Sequence, residues 1–482
     1  MISHLKRQIR KFPILLVALK ALRSSCKRTV AFLALALPIP AASKVSPLVI
    51  LYSGSLSGLV RLNLVKVLKS RRTLPSAQLN QLASFINLLG MNKAAMLLFK
   101  MALRKRDVIV EEKYQELLQV FRPFSSETYG AFGHIALMDF FIKAERLGII
   151  DRKTNIIVDA LEDFSNPVLA GYFNRLFKAS ATVQGIVPGF FPEEIEEPIS
   201  LFRTKGNQYL WLEDFTARVQ MKWFERFQRQ CIAPLRTEDR EAALRYLDSY
   251  GFARTNWFVT MHIREGGDNL RDLRNADPNT YIDAVKLIIR EGGWVFRIGS
   301  KNMSSAMNFE SARFIDFSSI EDIPPHIDIF LLSNCRFFVG TGSGPIAVAG
   351  HVFGRPVAAT NWAPLGARLS WQDQVILPKI YINSSNSTTL NMSTRMRGRF
   401  SSIESSRRLK ELGYIPVNNS AAQLASLTRQ MLDATQDGRF DADSFLGHKL
   451  QSKFLELMVD NGRLCPAYCA NATLDEYPEF VE

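Results

Sequence analysis

Downstream of residue 256 the chain switches between two apolar periods. Residues 257–263 (WFVTMHI), 294–298 (WVFRI), 313–317 (RFIDF), 336–339 (RFFV) and 356–360 (PVAAT) are short, apolar and rich in β-branched or aromatic side chains, as strands covered on both faces must be. Between the first two, Tyr281, Ala284, Val285, Ile288 and Ile289 recur at helical spacing. Asp277 is placed to cap that helix, Pro278 to open it and Gly292-Gly293 to stop it. Residues 325–333 and 345–353 predict two more helices, the second ended by Gly354. Strands alternating with short helices predict a parallel sheet of right-handed βαβ units.

Towards the N-terminus the pattern weakens. Residues 76–106 predict a helical hairpin joined at Gly90-Met91-Asn92, with Leu89-Gly90 and Ala94-Ala95 at a tight crossing. It resembles one tetratricopeptide-type unit, and a single unit needs a neighbour to cover its apolar face. Residues 114–180 offer a fainter βα series: a strand at 117–121, a glycine-bearing loop at 130–134 (GAFGH), a helix over 135–147 ended by Gly148, and a strand at 155–159. Residues 183–240 are rich in aromatics and proline, 383–405 read as polar loop, 424–431 as helix and 475–482 as an acidic tail. The boundaries that follow are a basic segment 1–75, a helical hairpin 76–113, an N-terminal domain 114–240, a C-terminal domain 241–400, and terminal helices and tail 401–482.

A chain of 482 residues is too long for one core, which suits two main domains with appendages. Its net charge of +14 is unevenly placed. Residues 1–106 hold 19 Lys and Arg and no Asp or Glu, whereas the rest carries 41 basic against 46 acidic residues. A mildly acidic body disfavours nucleic-acid binding by the main fold. The uncharged runs 29–43 and 45–60 fall short of the roughly 20 apolar residues a spanning helix needs. Flanked by bases, they suit peripheral attachment to an anionic membrane surface, at about 1 kcal/mol per Lys or Arg. Competing readings are a signal peptide cleaved near Ala41-Ala42-Ser43, an organellar transit peptide, and a solvated basic helix pair. The five cysteines, Cys26, Cys231, Cys335, Cys465 and Cys469, lack zinc-ligand spacing and suit a reducing compartment. A Cys465–Cys469 pairing stays open.

Two polar segments lie where strands hand over to loops, the edge at which open α/β sheets bind ligands. His262-Ile263-Arg264 follows the first strand, and Gly340-Thr341-Gly342-Ser343-Gly344-Pro345 follows the fourth. Residues two apart on an extended chain project to one side, so His262 and Arg264 face the same crevice. A planar, permanently charged guanidinium suits a diphosphate, and a glycine turn that opens a helix adds free N–H groups. Ser343 is a further donor, and Asp268 is placed to orient Arg264 or to take a sugar hydroxyl. Arg297 and Asn361 end two other strands and point to the same crevice. Asp316, Ser318 and Ser319 follow the third strand, where a base or ribose is commonly held. Each has a plain structural alternative: an arginine paired with a neighbouring acid, a merely tight turn, a solvated loop. His134, in the glycine loop of the first half, is the candidate base for an acceptor hydroxyl, because histidine titrates near neutrality. Asp139 and Glu127 are its rivals. Asp441-Ala442-Asp443 reads as a surface turn or helix cap, and no histidine–acid cluster calls for a metal.

Residues 257–362 resemble the donor domain of GT-B glycosyltransferases. MHIREGGD is similar to the H-x-R motif of the α1,2/α1,6/O-fucosyltransferase group. HIRE, RNAD…Y, GGWVFRIG, DIFLLSNCRFFVGTGSGP and FGRPVAATN resemble a bacterial glycosyltransferase family of polysaccharide-biosynthesis loci. TGSGPIAVAGHVFGRPV and YGAFGHIALMDFF are similar to heptosyltransferases. The resemblance covers about residues 115–435. It implies two Rossmann-like domains facing a cleft, with an N-terminal helical extension. It further implies metal-independent transfer from a nucleotide sugar, with GDP-sugars favoured, to a glycan or lipid-linked acceptor. The setting would be cell-surface polysaccharide synthesis on the inner face of the cytoplasmic membrane, with no cofactor beyond the donor. Arg264 would hold the donor β-phosphate, His262 would shape that site, and Gly342, Ser343 and Gly344 would take phosphate or ribose. Glu265 stands where the fucosyltransferase pattern has a second arginine, and Arg271, Arg274 or Arg297 would supply the missing contact. The alternatives are a non-catalytic nucleotide- or glycan-binding protein on this fold and a heptosyltransferase-like enzyme. An NAD-type oxidoreductase would carry G-x-G-x-x-G after a first strand, which the chain lacks.

Overall fold

A computed structural model describes residues 76, 79–80, 82–83, 92–113, 131–150, 156–158, 164–179, 201–266, 271–299, 307–365, 374–397, 400–401, 403–461 and 467–482. The expectations for residues 1–75, the strand at 117–121, Glu127, Asp268, Cys26 and Cys465 lie outside these residues. The chain divides into two compact units, Met1–Gln119 with Gly189–Leu201, and Val120–Pro188 with Phe202–Glu482.

In the first unit, helix Asn92–Lys113 buries Ala95, Leu98, Phe99 and Ala102, and the preceding helical residues bury Leu79, Leu82 and Ala83. The Ser76 hydroxyl donates to the Ala102 carbonyl across 3.0 Å, so the two arms meet along small side chains.

The second unit is built on a seven-stranded sheet. Its strands are β1 (Phe258–His262), β2 (Trp294–Arg297), β3 (Phe314–Asp316), β4 (Phe338–Gly340), β5 (Val357–Trp362), β6 (Gln374–Pro378) and β7 (Tyr468–Cys469). They lie in the order β7-β6-β5-β4-β1-β2-β3, and every pair is parallel. The first five are the five apolar runs read above. The short β6 and β7 owe their place to neighbours remote in sequence: Val375 pairs with both Ala358 and Tyr468.

Side-chain alternation divides the strands between two faces. Val259 and Met261 of β1 join a core with Val285 and Ile288 of helix Ile282–Arg290 and with Leu424, Leu427 and Met431 of helix Ala421–Ala434. On the other face Phe258 meets Phe252, Phe296 and Phe330 with centroids 5.3–5.7 Å apart. Helices Thr237–Asp248 and Pro325–Asn334 pack there. The Asp277 carboxylate accepts from the Asn279 N–H at 2.9 Å, the cap its position predicts.

Three expectations need correction. The helix expected over 345–353 is one α-turn, Gly344–Ala347, that widens into a π-helical turn, Val348–Val352. The helix expected over 135–147 starts as Phe132–Ile135 and continues as Leu137–Arg146. The polar stretch 383–405 is more than loop. Asn383 ends a strand paired with Tyr414–Val417, and Met392–Arg395 is a helical turn capped by the Asn391 side chain. In the N-terminal part of this unit, Ile156–Val158 pairs in parallel with Phe177–Ala179.

Candidate functional site

The strand order reverses between β1 and β4: one half of the sheet grows outward from β1 and the other from β4. In open α/β sheets the crevice beyond the carboxyl ends at such a switch point is where ligands bind. His262 ends β1 and is in register with Gly340, which ends β4. A Cβ on Gly340 would lie 2.5 Å from the His262 carbonyl oxygen, so only glycine permits this approach.

Beyond that register the two polar segments are tied together. The Thr341 N–H donates to the His262 carbonyl at 3.1 Å, and the Arg264 N–H donates to Thr341 Oγ1 at 2.9 Å. Ser343 Oγ stands 2.8 Å from His262 Nδ1 and 3.2 Å from the Thr341 carbonyl. Both Ser343 contacts form together only when His262 Nδ1 carries the ring proton and the hydroxyl donates to Thr341. Burial, then the Arg297 charge, then the Arg264 charge push the His262 pKa down to about 4. The ring is therefore neutral at pH 7, a buried prop for the turn.

Arg264 is aimed by its surroundings. Its Nη1 donates to the Arg271 carbonyl at 2.7 Å and to Asn275 Oδ1. Among the described residues its Nε and Nη2 make no hydrogen bond, which leaves donors of the planar fork for an anion. Asn275 is the keystone of this arrangement. Its amide donates to the Gly266 carbonyl at 2.8 Å, and its own carbonyl accepts from Lys379 Nζ at 2.6 Å. Arg274 lies over the glycine turn, with Nη1 3.4 Å from the Gly342 carbonyl and its Cδ 3.6 Å from where a Gly342 Cβ would be. Glu404 pairs with Arg271 at 3.4 Å and its backbone carbonyl holds the Leu273 N–H, fixing the loop. Sequence reasoning missed Asn275, Lys379 and Glu404 as partners of this site. A single lysine inside the apolar run 374–382 was the signal available for one of them.

Other residues assigned to the crevice are built into the interior. Arg297 is fully buried, and its guanidinium pairs with Glu265 and, at 2.8 Å, with Asp316. That explains Glu265: it neutralises Arg297 rather than facing a ligand, and Arg297 has no fork to lend to a phosphate. Asp316 Oδ1 also accepts from the Ser318 N–H at 3.1 Å and from its hydroxyl at 2.6 Å, a closed turn at the β3 end. The Asn361 side chain bonds the Tyr281 hydroxyl at 3.1 Å and the Asn419 N–H at 2.9 Å, and is fully buried. Its backbone at φ 47° is the left-handed exception in β5.

His134 comes to the turn from the other direction. Gly133 and Gly344 touch so closely that a Cβ on Gly344 would be 2.6 Å from the Gly133 nitrogen. The half-buried His134 therefore stands one residue from that contact. Its rival Asp139 is fully buried beside Lys143, at 2.5 Å, with its pKa pushed up to about 6 by burial. Lys143 also donates to the His351 carbonyl at 2.9 Å, so helix Leu137–Arg146 grips the far end of the segment that begins at Gly344. Among the described residues no group of three or more His, Cys, Asp or Glu is placed to hold a metal. Asp441 caps a surface turn by accepting from the Asp443 N–H at 3.0 Å.

No protein-family model matches the sequence, and no curated protein does. Solved structures similar to this chain include a family 9 glycosyl transferase from Veillonella parvula, at 11% identity over 64% of this chain and 96% of that one, TM-score 0.30. The ADP-heptose lps heptosyltransferase II of E. coli is similar at 13% identity over 58% and 80%, TM-score 0.26. The iron-containing dodecameric glycosyltransferase TibC of enterotoxigenic E. coli is similar at 12% identity over 66% and 77%, TM-score 0.34.

Proposed function

We propose that the chain is a GT-B glycosyltransferase whose seven-stranded half holds a nucleotide-sugar donor by its diphosphate, without a metal. The observation that carries this reading is the tie between Arg264 and Thr341 and between His262 and Ser343 at the switch point. It puts a cation with free donors beside a glycine turn opening a helical segment, at the place where this sheet type binds ligands.

In this reading the acceptor oxygen attacks the anomeric carbon as the bond from that carbon to the β-phosphate oxygen breaks. Negative charge then grows on the departing diphosphate. Arg264 stabilises it, with Arg274 beside the turn sharing its charge with Glu404 at 4.0 Å, and a preformed arrangement acts without reorganising as the charge develops. The acceptor hydroxyl gives up its proton as it bonds, and His134 is our candidate to take it. Arg297, Glu265, Asp316 and Asn361 hold the strand ends that carry these groups. Peripheral attachment of residues 1–75 to an anionic membrane would bring a lipid-linked acceptor within reach. Among the described residues no helix is long and apolar enough to cross a membrane.

Thermal unfolding of the full chain against a panel of GDP-, UDP- and ADP-sugars and NAD tests the reading. A ligand at about 100 times its Kd should stabilise the fold by about 2.7 kcal/mol. Stabilisation by nucleotide sugars but not NAD is expected; a response to NAD alone would replace the transferase with an oxidoreductase. Deletion of residues 1–75 should release the protein from anionic vesicles, and undiminished binding would remove the membrane role.

A further inference from the structure

Beside the rim lies an open cavity of about 300 Å³, lined by Asp272, Asn275, Lys379, Ser406, Pro416 and Asn418 among others. That volume is at the lower end of small-ligand sites. Lys379 is 3% exposed, and its ammonium donates to one acceptor, the Asn275 carbonyl. Among the described residues no carboxylate lies within ion-pair distance of it, and the charge that acts on it across the cavity is that of Asp272. An ammonium offers three donors, so Lys379 keeps donors for a ligand in the cavity. Burial pushes its pKa down to about 8, against the opposing pull of the Asp272 charge. Asp272 lines the same cavity. Its oxygens accept from the Ser406 N–H at 2.8 Å and from the Ser406 hydroxyl, and a carboxylate keeps further lone pairs for ligand hydroxyls. The exposed Asn418 adds an amide.

An ammonium with donors to spare, set beside a carboxylate that can take hydroxyls, matches a ligand that is anionic at one end and hydroxylated at the other. We propose that this cavity binds an acidic sugar, with its carboxylate on Lys379 and its hydroxyls on Asp272 and Asn418. A bare phosphate fits less well, because the Asp272 charge opposes a dianion. The same Asn275 that receives Lys379 orients Arg264, which puts this sugar next to the diphosphate cradle. That position makes the sugar the acceptor in the transferase reading, and in this alone the proposal rests on that reading.

Calorimetric titration of the full chain with glucuronate, glucose and inorganic phosphate tests it without turnover. Glucuronate should bind wild type about tenfold or more tightly than glucose, the worth of one charge-assisted contact. K379M should lose that preference. D272N, a milder change, should weaken glucuronate while leaving phosphate no weaker. R264A should leave glucuronate binding intact, so failure of the diphosphate reading and failure of this one show in different proteins. Equal binding of glucuronate and glucose, unchanged binding in both K379M and D272N, loss in R264A alone, or no glucuronate binding at all would overturn the proposal. So would phosphate binding through Lys379 as tightly as glucuronate.

Discussion

Arg264 and Arg297 stand at the carboxyl ends of the adjacent strands β1 and β2, and the molecule uses them in opposite ways. Arg297 is enclosed by Glu265 and Asp316, with its charge consumed inside the fold. Arg264 is held by a carbonyl and an amide, neutral acceptors that fix its direction without cancelling its charge. A guanidinium paired with carboxylates is a strut; one aimed by neutral groups is available to an anion. The contrast extends along the rim. The β1–β4 junction exposes polar groups around a glycine turn, whereas the β2–β3 junction closes on itself through Asp316 and Ser318.

The sharpest way to break this comparison is to exchange the fates of the two arginines. Arg297→Met leaves two carboxylates buried without a partner, and unfolding in denaturant should show a loss of about 3–5 kcal/mol. Adding Glu265→Gln and Asp316→Asn should restore part of it. Arg264→Ala should change stability by no more than about 0.5 kcal/mol, as for an ordinary surface replacement. Similar losses in both single variants would erase the distinction.

His262 lies between the two charges and offers a test by pH. Its folded pKa near 4 lies below the ordinary 6.5, so the unfolded chain takes up this proton first as the pH falls. Relative to His262→Gln, wild type should therefore lose stability between pH 6.5 and 4, by about 3 kcal/mol in total, and neither gain nor lose above 7. Asp139 and Asp328, both raised to about 6 by burial, act in the opposite direction but are common to both proteins and cancel in the difference. Parallel pH curves would mean that His262 is solvated and not a buried prop.

A smaller effect probes the contact between the glycine turn and the helical turn Phe132–Ile135. Gly344→Ala drives a methyl into Gly133, and overpacking of this kind costs about 1–3 kcal/mol. Thermal unfolding measures the cost, and nucleotide binding should weaken with it because the turn must move. A variant as stable as wild type would deny the close approach.

Much of the sheet was legible in the sequence because β1 to β5 are apolar runs with turn residues at their ends. The strand β7 was hidden, since a two-residue strand carries no period of its own and exists only by pairing with β6. The two halves of the rim were legible as motifs. Their joining was not, because hydrogen bonds such as Arg264 to Thr341 span 77 positions. The grouping of Arg297, Asp316, Ser318 and Asn361 with the crevice followed from strand-end position alone. Position could not reveal that Glu265 and Asp316 meet Arg297 or that Asn419 meets Asn361, and those partners decide whether a polar side chain faces inward or out.

The central claim is that Arg264 is a diphosphate ligand while its neighbour is a strut. Calorimetric titration of GDP and UDP into wild type and Arg264→Ala, at matched pH and salt, measures this directly. A charge-assisted contact of this kind is worth about 1.5–3 kcal/mol, so the variant should bind about 10- to 150-fold more weakly with its melting temperature unchanged. Equal affinity in the two proteins would contradict the account.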